Sequence, residues 1–341
     1  MKTEDYTYNL PNSFIAQSPV EPRDSSRLMV LNRGTGVIDH TRFARIGDYL
    51  SPGDLLVLNE TRVIPARLFG SKAETGGKVE LLLLNKIESD RWECLVGGKG
   101  LNLGIKIKIN GGPAAIIEKV GSGSLRAIKF ESPIDPFLEK IGAPPLPPYI
   151  KNPISDPDRY QTVYARCSGS SAAPTAGLHF TPGLLESLSK NGISAAFLTL
   201  HIGLDTFAHV VVDNPRDHPI HSEFCSISTE TAGLVNRTRL AGGRIIAVGT
   251  STARALESAA VRSPDGGFLL SGYEGMTGLF IMPGYEFKLV DILVTNFHLP
   301  GSTLIMMVSA FAGRETILNA YEIAKKMDYR FYSFGDAMLI L

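Results

Sequence analysis

Two histidines stand where an α/β sheet places its chemistry. Phe197-Leu-Thr-Leu-His201 and Leu293-Val-Thr-Asn-Phe-His298 each read as a buried strand with a histidine just past its end. Ligands of open α/β sheets gather at the carboxyl ends of strands, so two such histidines on one edge are a more specific signal than either alone. A third, His179, closes a run of small residues, Ser168-Gly-Ser-Ser-Ala-Ala-Pro-Thr-Ala-Gly-Leu-His179. Small residues let a ligand or another backbone approach closely. Taken singly, His179 reads more readily as a packed core histidine than as a catalytic one.

Arg244-Ile-Ile-Ala-Val-Gly-Thr250-Ser251-Thr252-Ala-Arg254 is an apolar strand running into three hydroxyl residues and then a helix. Free N–H groups and the helix dipole make such a terminus a site for carboxylates or phosphates, and Arg254 adds a fork that suits a carboxylate. Plain helix capping beside a surface arginine is the equal alternative. His218-Pro-Ile-His221-Ser-Glu223 looks like a metal-ligand string. The intervening proline argues against a helix face, and no cysteine partner is near, so no metal is expected. Glu223 stays a candidate general base.

Several common chemistries are excluded. There is no G-x-x-x-x-G-K-[ST] and no G-x-S-x-G, so neither a P-loop nor an α/β-hydrolase nucleophile elbow is supported. Gly98-Lys-Gly100-Leu-Asn-Leu-Gly104 is misspaced for a dinucleotide fingerprint and leads into a strand. Cys94, Cys167 and Cys225 are odd in number and far apart, which argues against a disulfide framework and for a reducing compartment. No stretch approaches the roughly 20 apolar residues of a membrane span, and the acidic start MKTEDYTYNLPNSF is no signal peptide. A cytoplasmic, membrane-free protein is expected. Formal net charge is zero, but Arg62 to Lys151 holds 14 Lys/Arg against 9 Asp/Glu, a net of +5 balanced by −5 elsewhere. That split permits a local phosphate-binding face and equally fits a solvated surface.

The elements that must position these groups fall into two textures. Arg27–Asn32 and Leu55–Leu58 read as strands, with a helical stretch around Phe43–Leu50 between them. After Pro65 come five short strand-like runs, 78–87, 91–96, 105–109, 114–120 and 126–130, separated by Gly-rich turns. Ile105-Lys-Ile-Lys-Ile109 alternates, isoleucines to a core and lysines to water. This block suggests a small barrel and ends in Pro144-Pro-Leu-Pro-Pro148, a stiff extended connector. From Tyr160 onward strands at 196–200, 244–248 and 291–295 alternate with helices at 229–240, 252–261 and, in pieces, 302–324. The expected fold class is therefore an α/β main domain, a mixed sheet with flanking helices, from residues 1–64 and 151–341. An all-β barrel-like domain, 65–150, is inserted in it.

At this point the chain resembles a known family, the S-adenosylmethionine:tRNA ribosyltransferase-isomerases of queuosine biosynthesis. The likeness runs through Tyr8-Asn-Leu-Pro, Arg23-Asp-Ser-Ser-Arg27, Pro52-Gly-Asp-Leu-Leu-Val-Leu-Asn-Glu-Thr-Arg62, Pro65-Ala-Arg67-Leu and Pro145-Leu-Pro-Pro-Tyr-Ile150. It continues through Tyr160-Gln-Thr-Val-Tyr-Ala165, Ala172-Ala-Pro-Thr-Ala-Gly-Leu-His179-Phe, Thr199-Leu-His201, Thr295-Asn-Phe-His298-Leu-Pro-Gly-Ser-Thr303 and Tyr329-Arg-Phe-Tyr-Ser-Phe-Gly-Asp336-Ala-Met. Two departures are visible. Ser251 stands where a second Thr is expected, and Leu204-Asp205 with Ala208-His209 fill a loop that often reads Gly-x-Gly-Thr-Phe with Pro after it.

The resemblance implies transfer and isomerisation of the ribosyl group of S-adenosylmethionine onto 7-aminomethyl-7-deazaguanine at the wobble position of a tRNA with a GUN anticodon. Epoxyqueuosine-tRNA forms, and adenine and methionine leave. It implies an α/β domain with an inserted β-barrel, no metal and no prosthetic group, S-adenosylmethionine being a substrate; a monomer is expected. On this reading His179, His201 and His298 supply acid/base and orienting roles, with Glu223 and Asp336 in reserve. Thr175, Thr250, Ser251, Thr252, Arg254 and Asn296 would bind S-adenosylmethionine. Arg23, Arg27, Arg62, Arg67, Lys78 and Lys99 would meet tRNA phosphates, with Tyr149 and Tyr160 available to stack on bases. A methyltransferase using the same donor would need a Gly-rich loop after its first strand, which is absent. A non-catalytic RNA-binding module has little use for histidines at several strand ends.

Overall fold

The computed structural model describes all residues except 153, 155, 204–208 and 265; the Leu204–Ala208 part of the divergent loop thus lies outside the described residues. The chain divides into two compact units. One comprises Met1–Arg62, Pro148–Cys167 and Ala173–Leu341; the other comprises Val63–Pro147 and Ser168–Ala172. Against the sequence-based boundaries, the first half of the small-residue run before His179 goes with the inserted unit.

The larger unit is built on a nine-stranded sheet. Its N-terminal strands are β1 (Arg27–Leu31), β2 (Ile38–Arg42) and β3 (Leu55–Asn59). The six barrel strands follow in the chain: β4 (Arg67–Lys72), β5 (Lys78–Glu88), β6 (Arg91–Gly97), β7 (Lys106–Ile109), β8 (Ala115–Val120) and β9 (Leu125–Phe130). The sheet then resumes with β10 (Ser194–Leu200), β11 (Glu223–Ile227), β12 (Ile245–Val248), β13 (Tyr273–Thr277), β14 (Ile292–Asn296) and β15 (Ala337–Ile340). Spatial order is β13-β11-β10-β3-β12-β14-β15-β1-β2. The middle four, β10, β3, β12 and β14, are mutually parallel, with Leu58 opposite both Phe197 and Val248, and Val248 opposite Val294. Leu55–Leu58, Ile245–Val248 and residues 292–294 are buried and apolar on both faces, as parallel strands covered on both sides require.

β15 runs antiparallel to β14 and parallel to β1. The starts of β15 and β1 therefore lie at the same edge as the ends of the four parallel strands. That edge collects the chemistry-bearing residues. Helices of the unit include Pro182–Lys190, Thr229–Leu240, Thr250–Ser258, Thr303–Ala312 and Arg314–Lys326. Ser228 caps the second of these through Thr231 N–H, and Ser302 caps the fourth through Ile305 N–H.

The inserted unit is a closed barrel, β9-β6-β5-β4-β7-β8, with β8 pairing back onto β9. Ile107 and Ile109 point inward beside Leu81, Leu83, Cys94, Ile117 and Phe130, while Lys106 and Lys108 face water. The alternation expected at 105–109 is therefore realised as the pleat of β7.

Candidate active site

The ends of the four parallel strands are tied by side chains rather than left as loops. Asn59, fully buried at the end of β3, accepts from Leu200 N–H and Thr61 N–H on Oδ1 (3.1 Å each). Its Nδ2 donates to the Leu200 carbonyl (2.9 Å) and to Ser251 Oγ (3.2 Å). Thr61 Oγ1 meets His201 Nδ1 at 2.8 Å. Half-buried His201 stacks on Phe224, ring centroids 5.5 Å apart, and burial lowers its pKa.

On the other side of β12, Thr175 Oγ1 donates to Asn296 Oδ1 (2.8 Å), which fixes the amide so that Nδ2 donates to His179 Nε2 (3.2 Å). An amide NH₂ only donates, so Nε2 accepts and the ring proton sits on Nδ1, facing Ser26 Oγ at 2.7 Å. His179 also stacks on Phe43 at 5.0 Å. Burial, reinforced by the charges of Arg330, Arg159 and Arg23, pushes its pKa down to about 3. It borders a shallow open pocket shared with Arg23, Arg159 and Phe334. His298 is held by Thr295 Oγ1 on Nε2 (2.7 Å) and by Tyr321 Oη on its backbone N–H (3.0 Å), and burial pushes its pKa to about 3. All three histidines are neutral at pH 7, so each ring offers one lone pair and one N–H.

Two glycines let these segments meet. Gly249 has φ 95°, a conformation an L side chain rarely adopts, and it sits against Ala176 where β12 turns into the Thr250–Ser258 helix. A Cβ on Gly177 would stand 2.1 Å from Tyr164 Oη. Within the larger unit, 173–179, 250–254 and 296–298 meet through the Gly249–Ala176 approach and the Thr175–Asn296 hydrogen bond.

The structure redirects several expected site residues. Arg254 does not present a free fork: it donates to the carbonyls of Leu279, His221 and Thr277 and to Glu223 Oε2 at 2.5 Å. Glu223 is spent in turn on Arg254 and on Gly203 N–H (2.8 Å), which removes it as a general base in reserve. Asp336 accepts Arg27 N–H and Arg330 N–H (2.8 Å each), knitting β1 to the β15 approach, so it too is structural. Thr252 back-bonds to the Val248 carbonyl (2.7 Å) and is buried. Thr175 and Asn296 serve His179. Of the six expected donor-site residues, Thr250 and Ser251 are half-buried at a helix start that no side chain caps, Ser251 Oγ accepting from Asn59.

Among the expected tRNA contacts, Arg23 donates to the carbonyls of Gln161 and Asp158. Arg27 lies over the Tyr329 ring at 3.8 Å. Arg67 pairs with Glu80 at 2.6 Å. Lys78 and Lys99 are exposed on the barrel, and Arg62 is half-buried. Tyr160 is fully buried against Phe334 and offers no face to a base; Tyr149 bonds Ser333 Oγ at 2.7 Å. Sequence reasoning missed Ser26, Asn59, Thr61 and the buried carboxylate Glu60, which pairs with Arg166. The available signal was a polar Asn-Glu-Thr run directly after an all-apolar strand. Among the described residues no group of three or more His, Cys, Asp or Glu is placed to hold a metal, and no helix is long and apolar enough to cross a membrane.

The chain as a whole has known relatives. A family model described as queuosine biosynthesis protein matches residues 3–340. The chain belongs to that family. It is 51% identical to an S-adenosylmethionine:tRNA ribosyltransferase-isomerase of Staphylococcus haemolyticus, and 50% identical to one of Staphylococcus aureus, each over the full length of both chains. A crystal structure of S-adenosylmethionine tRNA ribosyltransferase from Thermotoga maritima is 42% identical, covering 99% of this chain and 100% of that one, with a TM-score of 0.57. The α/β sheet and the barrel described above are the fold that the resemblance implied.

Proposed function

We propose that this protein is an S-adenosylmethionine:tRNA ribosyltransferase-isomerase acting at the wobble position of tRNA with a GUN anticodon. Its acceptor would be the aminomethyl group of 7-aminomethyl-7-deazaguanine, and its products epoxyqueuosine-tRNA, adenine and methionine. The observation that carries the reading is the gathering of His201, His298, Thr250 and Ser251 at the carboxyl edge of four parallel strands, with His179 locked beside them. Full-length identity of 51% to a protein bearing that name supports it.

The chemistry asks for what this edge holds. A sulfonium makes the adjoining C5′ proton acidic, and a positioned neutral imidazole can remove it. Adenine then departs and takes up a proton. Amine attack and epoxide closure with loss of methionine complete the sequence, in a site dry enough to shield reactive intermediates. His201 and His298 are the proton-transfer groups of this reading, and His179, held by Asn296 and Ser26, has an orienting role. Thr250, Ser251 and the helix start they occupy hold the methionine carboxylate. The enzyme is proposed to work as a cytosolic monomer.

The test is direct. Incubation with S-adenosylmethionine and tRNA carrying the 7-aminomethyl-7-deazaguanine base should give epoxyqueuosine on nucleoside mass analysis, with free adenine and methionine. Formation of S-adenosylhomocysteine in their place would make the protein a methyltransferase and end this reading.

A further inference from the structure

His201 is held on three sides. Its backbone N–H donates to the Phe224 carbonyl (2.9 Å), its ring lies on the Phe224 ring, and its Nδ1 meets Thr61 Oγ1 at 2.8 Å. The same hydroxyl lies 3.5 Å from the Cys167 carbonyl oxygen. A threonine hydroxyl has one proton to give and lone pairs to receive. Were that proton given to Nδ1, the Cys167 carbonyl would receive nothing from Thr61. With the ring proton on Nδ1, His201 donates to Thr61 and Thr61 donates onward to Cys167, so both contacts become hydrogen bonds. Thr61 is itself fixed, since its N–H donates to Asn59 Oδ1 and its side chain is fully buried.

We infer that Thr61 is a positioning residue that holds His201 in its Nδ1–H tautomer and leaves the Nε2 lone pair as the base that takes the substrate proton. The contrast with His179 sharpens the assignment. There Asn296 and Ser26 occupy both ring nitrogens, whereas Thr61 occupies one nitrogen of His201 on a half-buried ring. Orientation of a histidine by a second group on its far nitrogen is the general logic of activated bases. The inference rests on the reading of His201 as a proton-transfer group.

The tautomer is measurable without turnover. Protein labelled with ¹⁵N-histidine, with His201 assigned by loss of its signals in His201→Gln, should show the Nδ1–H pattern in long-range ¹H–¹⁵N correlation spectra. Thr61→Ser, which keeps the hydroxyl, should preserve that pattern, and the near-isosteric Thr61→Val should shift it toward Nε2–H. An Nε2–H ring in the unmodified protein overturns the inference, as does a pattern that Thr61→Val leaves unchanged. In the turnover assay, Thr61→Val should lower kcat about 100-fold, the size of a general-base contribution, with KM for S-adenosylmethionine little changed and Thr61→Ser restoring most of the rate. A tautomer that shifts while kcat stays constant would uphold the part played by Thr61 and overturn the catalytic reading of His201.

Discussion

The buried charge pair Arg254–Glu223 shows how a residue type is reassigned by its surroundings. A guanidinium whose N–H groups reach three carbonyls and a carboxylate fixes the 221–223 and 277–279 segments against the Thr250–Ser258 helix. Burial lowers the pKa of Arg254, against the opposing pull of the Glu223 carboxylate. Removing one partner strands the other in a poor dielectric. Arg254→Ala is therefore expected to cost about 3–5 kcal/mol of stability, read from its urea unfolding curve. A loss below about 1 kcal/mol, the worth of an exposed pair, would show that the arginine is not anchored there. The histidines add a pH signature. In the unfolded chain the rings of His179 and His298 titrate near 6.5, but in the folded chain both are held at about 3. As pH falls the unfolded state binds protons first, so this stability is full above pH 6.5 and drains away between there and about 3. At pH 5 the loss amounts to about 2 kcal/mol per ring, visible as a lower urea midpoint than at pH 7. A midpoint that does not move over this range would mean that the rings are not buried neutral.

Among the elements, the Thr250–Ser258 helix depends most on the residue before it. Gly249 turns β12 into the helix at φ 95°, and Thr250 and Ser251, both half-buried, follow it. Gly249→Ala puts a Cβ into a left-handed position, at a cost of roughly 1–2 kcal/mol, and tilts the helix start. The expected result is a weaker Kd for S-adenosylmethionine by calorimetry, with the barrel unaffected; unchanged affinity would move the carboxylate site elsewhere. This junction was legible from residues 244–257 because an apolar strand, a glycine and hydroxyls follow one another in order. So was the helix at Thr229–Leu240. Other elements were not. β4, Arg67–Lys72, is masked by Pro65 and Gly70, and β2 is an edge strand whose residues are half-buried or exposed, so neither shows alternation. The stretch expected to be helical at Phe43–Leu50 is a 3₁₀ segment, Phe43–Tyr49. The histidines at the strand ends were legible because strand ends are sequence features. The saturation of Arg254, Asp336 and Thr252 was not, because hydrogen-bond partners 4 to 309 residues away carry no local mark.

Across the whole chain, zero net charge conceals a division that bears on how tRNA is met. The +5 balance over 62–151 belongs mostly to the barrel unit, where Lys78 and Lys99 are exposed. Several other cations are already engaged: Arg67 with Glu80, Lys86 with Asp135, Arg91 with Glu88 and Glu118. Exposed lysines are the groups able to displace counterions from a nucleic-acid backbone, and each phosphate contact contributes about 0.7–0.9 to the slope of log Kd against log salt. Replacing both by glutamine, Lys78→Gln with Lys99→Gln, should weaken tRNA binding and reduce that slope by about 1.4–1.8. S-adenosylmethionine affinity should stay as it was, because neither lysine belongs to the sheet edge where the histidines gather. Phosphate contacts position a nucleic acid without reading its bases, so the double variant should lose affinity equally for tRNA with and without a GUN anticodon. A slope equal to that of the unmodified protein would take the barrel lysines out of the tRNA interface and place its electrostatics on the α/β unit, with Arg62 the first residue to replace.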